Sequence, residues 1–554
     1  FKQKTAYEIR LSLVGSEMCI RDRHLYLFLG TLILLNASST AQVQYQMTYG
    51  GIQNDEARSA IISGNGYFIS GSTNSFGAGG IDFYLLGTDS CGQVTLSKTI
   101  GGTSSEGNYD LLQSYAGRYV LYGKTNSFGS GDLDTYLTEL NLLATNIKTS
   151  WVVGDSVNEE GRAITEASDT SGFVGAGSTN SFGAGNYDVY VVKHRYNGTI
   201  AWTKVFGGSS LDKAYDIQKT TDGGYIVTGE TKSFGEGQSD VYLLKLNSNG
   251  TLAWSKVFGT SGNDIGYSVK QILGGGYIIT GYTELNDTLP YGKNIYLIKT
   301  DGFGNKLWSY AYGGPNDDEG RSVVQLVDSS FAVCGMTNSY GAGLDDAYLI
   351  KTSKTGTLSW GKTYGDDSTD RCFCLLNAKD SGYLLSGLTF SFGAGKSDAY
   401  VVKTDIAGES GCHEDSGAVR YTIEDSIATG GQSSSGGILA TGGVLNSPTS
   451  LVDTICNSCD EAFRYNGSSI FQDHLETFAV LYPNPTNAIV NIGIVNAKEV
   501  NTSIRIFDVT GKVVHLVDME NAFISIDVSS LISGIYFVEI ENGEIIIKDI
   551  FIKD

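Results

Sequence analysis

The chain has 554 residues, with 60 acidic against 38 basic side chains for a formal charge of −22, and 72 glycines against 5 prolines. So acidic a composition argues against nucleic acid or anionic lipid as the main partner and favours cations or neutral ligands such as glycans. Aromatics at 11% with abundant glycine suit packed sheets joined by tight turns.

Residues 1–23 (FKQKTAYEIRLSLVGSEMCIRDR) resemble the translation of a sequencing-library adapter, an index and a transposase end, and are set aside as an artefact. Residues 24–41 carry the apolar run LYLFLGTLILL and then small residues, Ser39 and Ala41, at the −3 and −1 positions of a cleavage site. They read as a truncated signal peptide, too short to span a bilayer, so the exported chain is expected to begin at Gln42 and to hold no transmembrane segment. Export permits disulfides. Seven cysteines lie outside the adapter, an odd number, so one is left unpaired.

From Gln42 to about Asp405 one unit recurs seven times. Its anchor threonines, Thr73, Thr125, Thr179, Thr231, Thr283, Thr337 and Thr389, are 52 or 54 residues apart. That period belongs to a propeller or an array. Each unit holds four short alternating runs, as at 214–219, 224–228, 241–246 and 252–258, which read as four antiparallel strands. The last unit lacks its fourth run, and 44–48 at the front of the chain resembles it. The first run should therefore complete the seventh sheet, which a ring needs and an open array does not. The expected fold is an all-β, seven-bladed propeller over residues 42–407. The Gly-rich second strand, D-x-Y third strand and Trp-bearing fourth strand resemble kelch-type propellers, and more closely the propeller repeats of secreted Bacteroidetes proteins. That resemblance implies fold, not activity.

Within the unit, Trp151, Trp202, Trp254, Trp308 and Trp360 are read as glue between neighbouring sheets. Phe76, Phe128, Phe182, Phe234 and Phe392, with Tyr340 in the sixth unit, are read as tucked beneath the TNSFGAG-type loops. The D-x-Y aspartates, Asp82, Asp134, Asp188, Asp240, Asp346 and Asp398, with Asn294 in the fifth unit, are read as turn acceptors. An acid also recurs between the fourth strand and the next first strand: Asp55, Glu106, Glu159, Asp212, Asp264, Asp318 and Asp370. Two readings are open. A ring of carboxylates at one channel mouth could hold calcium, a cationic ligand or sugar hydroxyls. Alternatively each acid caps its own turn, or pairs with Arg58, Arg162 or Arg321 three residues on. The irregular stretch 284–291 breaks the pattern and is a place for a specific contact. No nucleophile–base pair, zinc-protease motif or phosphate loop occurs, and His194 is the only propeller histidine.

Residues 408–478, with GGQSSSGGILATGG at 430–443, read as a Gly/Ser-rich linker or irregular β structure. Cys412, His413, Cys456 and Cys459 have no standard zinc spacing, and a Cys412–Cys456 disulfide is the expected alternative. Residues 479–554 alternate as a small β-sandwich. Pro483, Asn484 and Pro485, Gly511 and Lys512, the run holding Gly534 and Tyr536, and Lys553 resemble the type A C-terminal sorting domain of type IX secretion. The resemblance implies passage through the periplasm to the outer-membrane surface or the medium, with the secretion machinery as partner. The functional expectation is a surface or extracellular binding propeller for a glycan or surface protein. The alternatives are an extracellular polysaccharide hydrolase or lyase, and an adhesin-like spacer.

Overall fold

The structure, a computed structural model, describes residues 42–285, 292–423, 425–429, 432–434, 438–440, 444–446, 451–457, 478–482, 489–495, 502–519, 523–542 and 545–553. The adapter and signal-peptide readings fall outside these residues, as do the stretch 286–291, Cys459, Pro483, Asn484 and Pro485.

The protein is all-β and propeller-like. Seven five-stranded antiparallel sheets are followed by one of three strands and one of four. Sheets 1 to 7 are numbered by their first strands, Asp55–Ser63, Glu106–Gln113, Glu159–Glu166, Asp212–Lys219, Asp264–Gln271, Asp318–Gln325 and Asp370–Asn377. Each first strand opens on one of the seven recurring acids. Every second strand ends on an anchor threonine except in sheet 5, where Tyr277–Leu285 runs two residues past Thr283.

In sheet 7 the fourth strand is Tyr45–Gly50. It pairs antiparallel with Asp398–Lys403, Tyr45 opposite Lys403 and Thr48 opposite Tyr400. Consecutive sheets are linked by isolated parallel bridges, Ile81 to Ser105, Leu133 to Asn158, Tyr187 to Leu211 and Ser239 to Asn263. The same bridge joins Ser397 of sheet 7 to Asn54 of sheet 1. The tryptophans lie between sheets as expected. Trp202 sits against Tyr225 of the next sheet, Trp254 against Tyr277, Trp308 against Phe331 and Trp360 against Tyr383, with ring centroids 6.0–6.4 Å apart. Trp151 stacks on His194, which burial holds at a pKa of about 4. The unit's one histidine is thus a neutral packing group.

The stretch 408–478, read as a linker or irregular β structure, holds short strands among its described residues. Among the described residues, seven strands between Glu414 and Asn457 add a fifth strand to each sheet, taking the sheets in the reverse order. Glu414–Ser416 joins sheet 6, Val419–Thr422 sheet 5, Ser426–Ala428 sheet 4 and Gln432–Ser434 sheet 3. Ile438–Ala440 joins sheet 2, Val444–Asn446 sheet 1 and Leu451–Asn457 sheet 7. The physical reason is the open edge. Each fourth strand would otherwise present unpaired N–H and C=O groups to solvent, and a strand of three residues is enough to cover much of it. Cys412, just before the belt, is disulfide-bonded to Cys456 at its end, 44 residues later. A second disulfide, Cys334–Cys372, joins sheet 6 to sheet 7, and Cys374 is the free cysteine among the described residues.

Replacing Cys412 and Cys456 by serine should lower stability by about 2–4 kcal/mol, the usual effect of losing a disulfide. Limited proteolysis should then cut within 413–455 first. Equal resistance with and without the bond would show that strand pairing alone holds the belt.

In the C-terminal region, Phe478–Tyr482, Ile489–Val495 and Phe523–Asp527 form one sheet; Thr502–Phe507, Val513–Met519, Gly534–Asn542 and Ile545–Lys553 form the other. Val490, Ile492, Ile504, Ile506, Ile526, Val538 and Ile540 make their common core. The turn at Gly511 takes a positive φ of 83°, which a residue without Cβ tolerates, and its N–H donates to Asp508 O.

Candidate functional site

The seven recurring acids are all buried, at 0–1% exposure. Each carboxylate accepts the backbone N–H four residues before it: Gly51 to Asp55 (2.8 Å), Gly102 to Glu106 (2.7 Å), Asp155 to Glu159 (2.7 Å) and Gly208 to Asp212 (2.8 Å). The same bond joins Thr260 to Asp264 (2.7 Å), Gly314 to Asp318 (2.7 Å) and Asp366 to Asp370 (3.0 Å). A hydroxyl from the neighbouring loop adds a second donor, as with Ser75 to Asp55 (2.6 Å), Ser233 to Asp212 (2.7 Å), Ser339 to Asp318 (2.8 Å) and Ser391 to Asp370 (2.6 Å). Sheet 5 departs from the loop sequence, and there the Thr260 hydroxyl supplies the donor to Asp264 at 3.1 Å. The acids therefore cap turns and tie adjacent loops.

They meet in twos. A methyl group on the glycine that ends each fourth strand, or in sheet 6 follows it, would overlap both the next sheet's acid and a third-strand side chain of its own sheet. At Gly154 these are Glu159 and Asp134, at Gly207 Asp212 and Asp188, and at Gly365 Asp370 and Asp346. At Gly313 the partner of Asp318 is Asn294. Burial raises Asp240 to about 8 and Asp346 to about 7, with the facing Asp264 and Asp370 adding to the rise, and it raises Asp264 and Asp318 to about 6, with Asp425 and Asp317 nearby. The arginines named as possible partners bond elsewhere. Arg58, Arg162 and Arg321 hold Glu56, Glu160 and Glu319 at 2.7, 2.6 and 2.5 Å.

None of the seven acids lines the cavity that the first strands surround. Every first strand carries a β-bulge at the same place, between the third and fifth residues, for example Ala57/Ser59, Gly161/Ala163 and Gly320/Ser322. A bulge leaves one residue out of the ladder and re-aims its side chain. The seven bulged residues are Arg58, Tyr109, Arg162, Tyr215, Tyr267, Arg321 and Phe373, and all line one cavity of about 360 Å³. Guanidinium groups lie over rings within it: Arg58 over Phe373 (3.9 Å), Arg162 over Tyr109 (4.1 Å) and Arg321 over Tyr267 (3.9 Å). Lys270, Asp110 and Asp216 share the lining. Asp110 accepts from Ile164 N, Leu111 N and Ser59 Oγ, and burial raises its pKa to about 6.

Sequence reasoning missed this ring, although a signal was available. Three residues after each acid the seven units read Arg, Tyr, Arg, Tyr, Tyr, Arg and Phe, always after a small or short side chain. A run of large residues at one register of an innermost strand marks a channel lining.

In the sorting-like region, the Tyr536 hydroxyl donates to Ile532 O and Lys553 is buried. Residues 480–553 match the secretion system C-terminal sorting domain. That domain directs export through the type IX system to the cell surface or extracellular space. Among solved structures the chain is similar to PorZ, an essential bacterial surface component of the type-IX secretion system of Porphyromonas gingivalis. Identity is 12% over 89% of this chain and 75% of that one, with a TM-score of 0.27. It is also similar to the extracellular domain of a putative one-component system from B. thetaiotaomicron, at 9% identity over 90% and 86% of the two chains, with a TM-score of 0.17. No curated protein matches the chain. Among the described residues no helix is long and apolar enough to cross a membrane.

Proposed function

We propose that this chain, which carries a type IX secretion sorting domain, is a seven-bladed, kelch-like propeller that binds a glycan or surface protein outside the cell. The ring reading is supported by the return of the first strand to sheet 7 and by the bridge from Ser397 to Asn54. The binding reading rests on one observation: seven bulges in the same register turn arginines and aromatic rings into a single cavity. Ligand sites favour concave places with a few convergent polar groups among apolar ones. Probing the purified chain on a glycan array tests this, and no retention of any glycan or surface extract would refute it.

The enzyme reading draws on Asp110 and Asp216, two carboxyls in one cavity, as glycoside chemistry requires. Both oxygens of Asp110 and Oδ2 of Asp216 already accept from backbone and hydroxyl donors. Binding without turnover is therefore the better account, and product analysis on any retained glycan separates the two. Deleting 479–554 should strand the protein in the periplasm of a type IX-competent host. Fractionation and blotting would read this, and normal surface delivery would overturn the role of the tail.

A further inference from the structure

Three groups in the cavity are left incomplete by the protein itself. The Nε atoms of Arg58, Arg162 and Arg321 are buried without a hydrogen-bond partner. An unpartnered buried donor on a charged group is costly and marks a place where a partner belongs. Each guanidinium is otherwise held firmly, its Nη2 on a glutamate and its plane on an aromatic ring. The Nε atoms are themselves covered, but the side chains keep 28, 24 and 24% exposure, so a ligand in the channel meets the open part of each guanidinium and reaches Nε by a small shift of the side chain.

We propose that this cavity receives the carboxylate or sulfate group of an acidic saccharide, held by the guanidinium edges of Arg58, Arg162 and Arg321. The proposal rests on the binding reading above and names its ligand class. A planar guanidinium matches an oxyanion in geometry as well as charge. The charged groups lining the cavity are Arg58, Arg162, Arg321 and Lys270 against Asp110 and Asp216. Each arginine is paired with a glutamate and Lys270 with Asp216, so what the cavity offers an anion is guanidinium donors, while the two acids already have donors of their own. The volume of about 360 Å³ lies at the small end of ligand sites, the size of one sugar residue.

Titration calorimetry of residues 42–554 with sodium glucuronate, galactose 6-sulfate, inorganic sulfate and glucose tests the proposal. Glucuronate, galactose 6-sulfate or both should bind at least about tenfold more tightly than glucose and than inorganic sulfate, and added salt should weaken them. The two sugar arms tell carboxylate from sulfate ester. The triple variant Arg58→Lys, Arg162→Lys and Arg321→Lys keeps every charge and glutamate partner but loses the Nε donors. It should melt as the parent does and lose about tenfold or more in affinity. If the triple variant does not fold, Arg162→Lys alone should weaken binding severalfold. Glucose matching the acidic sugars, inorganic sulfate matching them, or lysine variants binding as the parent does would overturn the proposal. So would no binding by either acidic sugar. Retention of neutral glycans alone would sink this inference and leave the binding role standing, whereas retention of nothing would sink both.

Discussion

Removing residues 42–50 should leave a chain that cannot form a stable monomer. All six residues of Tyr45–Gly50 are buried, and the strand is hydrogen-bonded on both sides, to Asp398–Lys403 and to Leu451–Asn457. Its loss opens two ladders at once and exposes a long edge of the kind that aggregates. Tyr45, Met47 and Tyr49 leave the core between sheets 7 and 1, each removing roughly 1.5–3 kcal/mol of apolar burial. Gln46 goes too, with its bonds to Ser410 Oγ (2.8 Å), the Cys412 carbonyl (2.5 Å) and the Tyr400 hydroxyl (2.5 Å). Together these exceed a large share of an ordinary folding free energy of about 5–15 kcal/mol. Size-exclusion elution and a urea melt would read the result. A soluble monomer melting as the parent does would mean that the sheets stand as an open array.

The second large effect concerns pH. Asp240 and Asp346 have folded-state pKa values of about 8 and about 7, well above those of an unfolded aspartate. Burial is the main cause, with Asp264 facing Asp240 and Asp370 facing Asp346. Glu236 adds repulsion near the first and Asp345 near the second, the latter carboxylate already held by Arg371 at 2.5 Å. A group whose folded pKa is raised stabilises the fold fully below its unfolded pKa, and that contribution is lost as pH rises through the folded value. The protein should therefore melt highest at about pH 4, the value of an unfolded aspartate, lose stability steadily as pH rises from there, and level off above about pH 7–8. Sheet 5 supplies an internal control, because Asn294 stands where the other sheets have aspartate. An amide is the permanently neutral counterpart of the protonated acid. Asp240→Asn with Asp346→Asn should raise the melting temperature by several degrees at alkaline pH and flatten its pH dependence, with little change in acid. Scanning calorimetry from acid to alkali decides it. A double variant that melts lower at every pH would show that both carboxylates are ionised and needed as such.

Much of this was legible because the repeat writes the same physics seven times. The acids, the anchor threonines and the Trp-bearing strands recur at fixed spacing since each copy must make the same contact with the next. The seven acids opened every first strand as aligned, yet their capping role depends on N–H groups four residues earlier, which no residue type announces. Arg58, Arg162 and Arg321 were visible, but their partners were not. A bulge shifts the strand by one residue and moves each arginine from the acid three before it to the glutamate two before it. The belt was illegible for a different reason. Its strands are three or four residues long for all but the last, and what holds them is main-chain pairing, which Gly, Ser and Ala make as well as any residue. Composition alone cannot separate such a strand from a linker.

The belt also decides how the molecule would carry a pull. The segment leading to the sorting domain departs from Leu451–Asn457, in the same sheet as Tyr45–Gly50. Tension applied from the C-terminal side reaches Cys456 first and passes through the disulfide to Cys412, just beyond the last repeat. Residues 413–455 are left slack, outside the line of force, and cannot be unzipped from the sheets one by one. A covalent clasp at the seam thus turns the weakest-paired part of the fold into a part that tension does not reach.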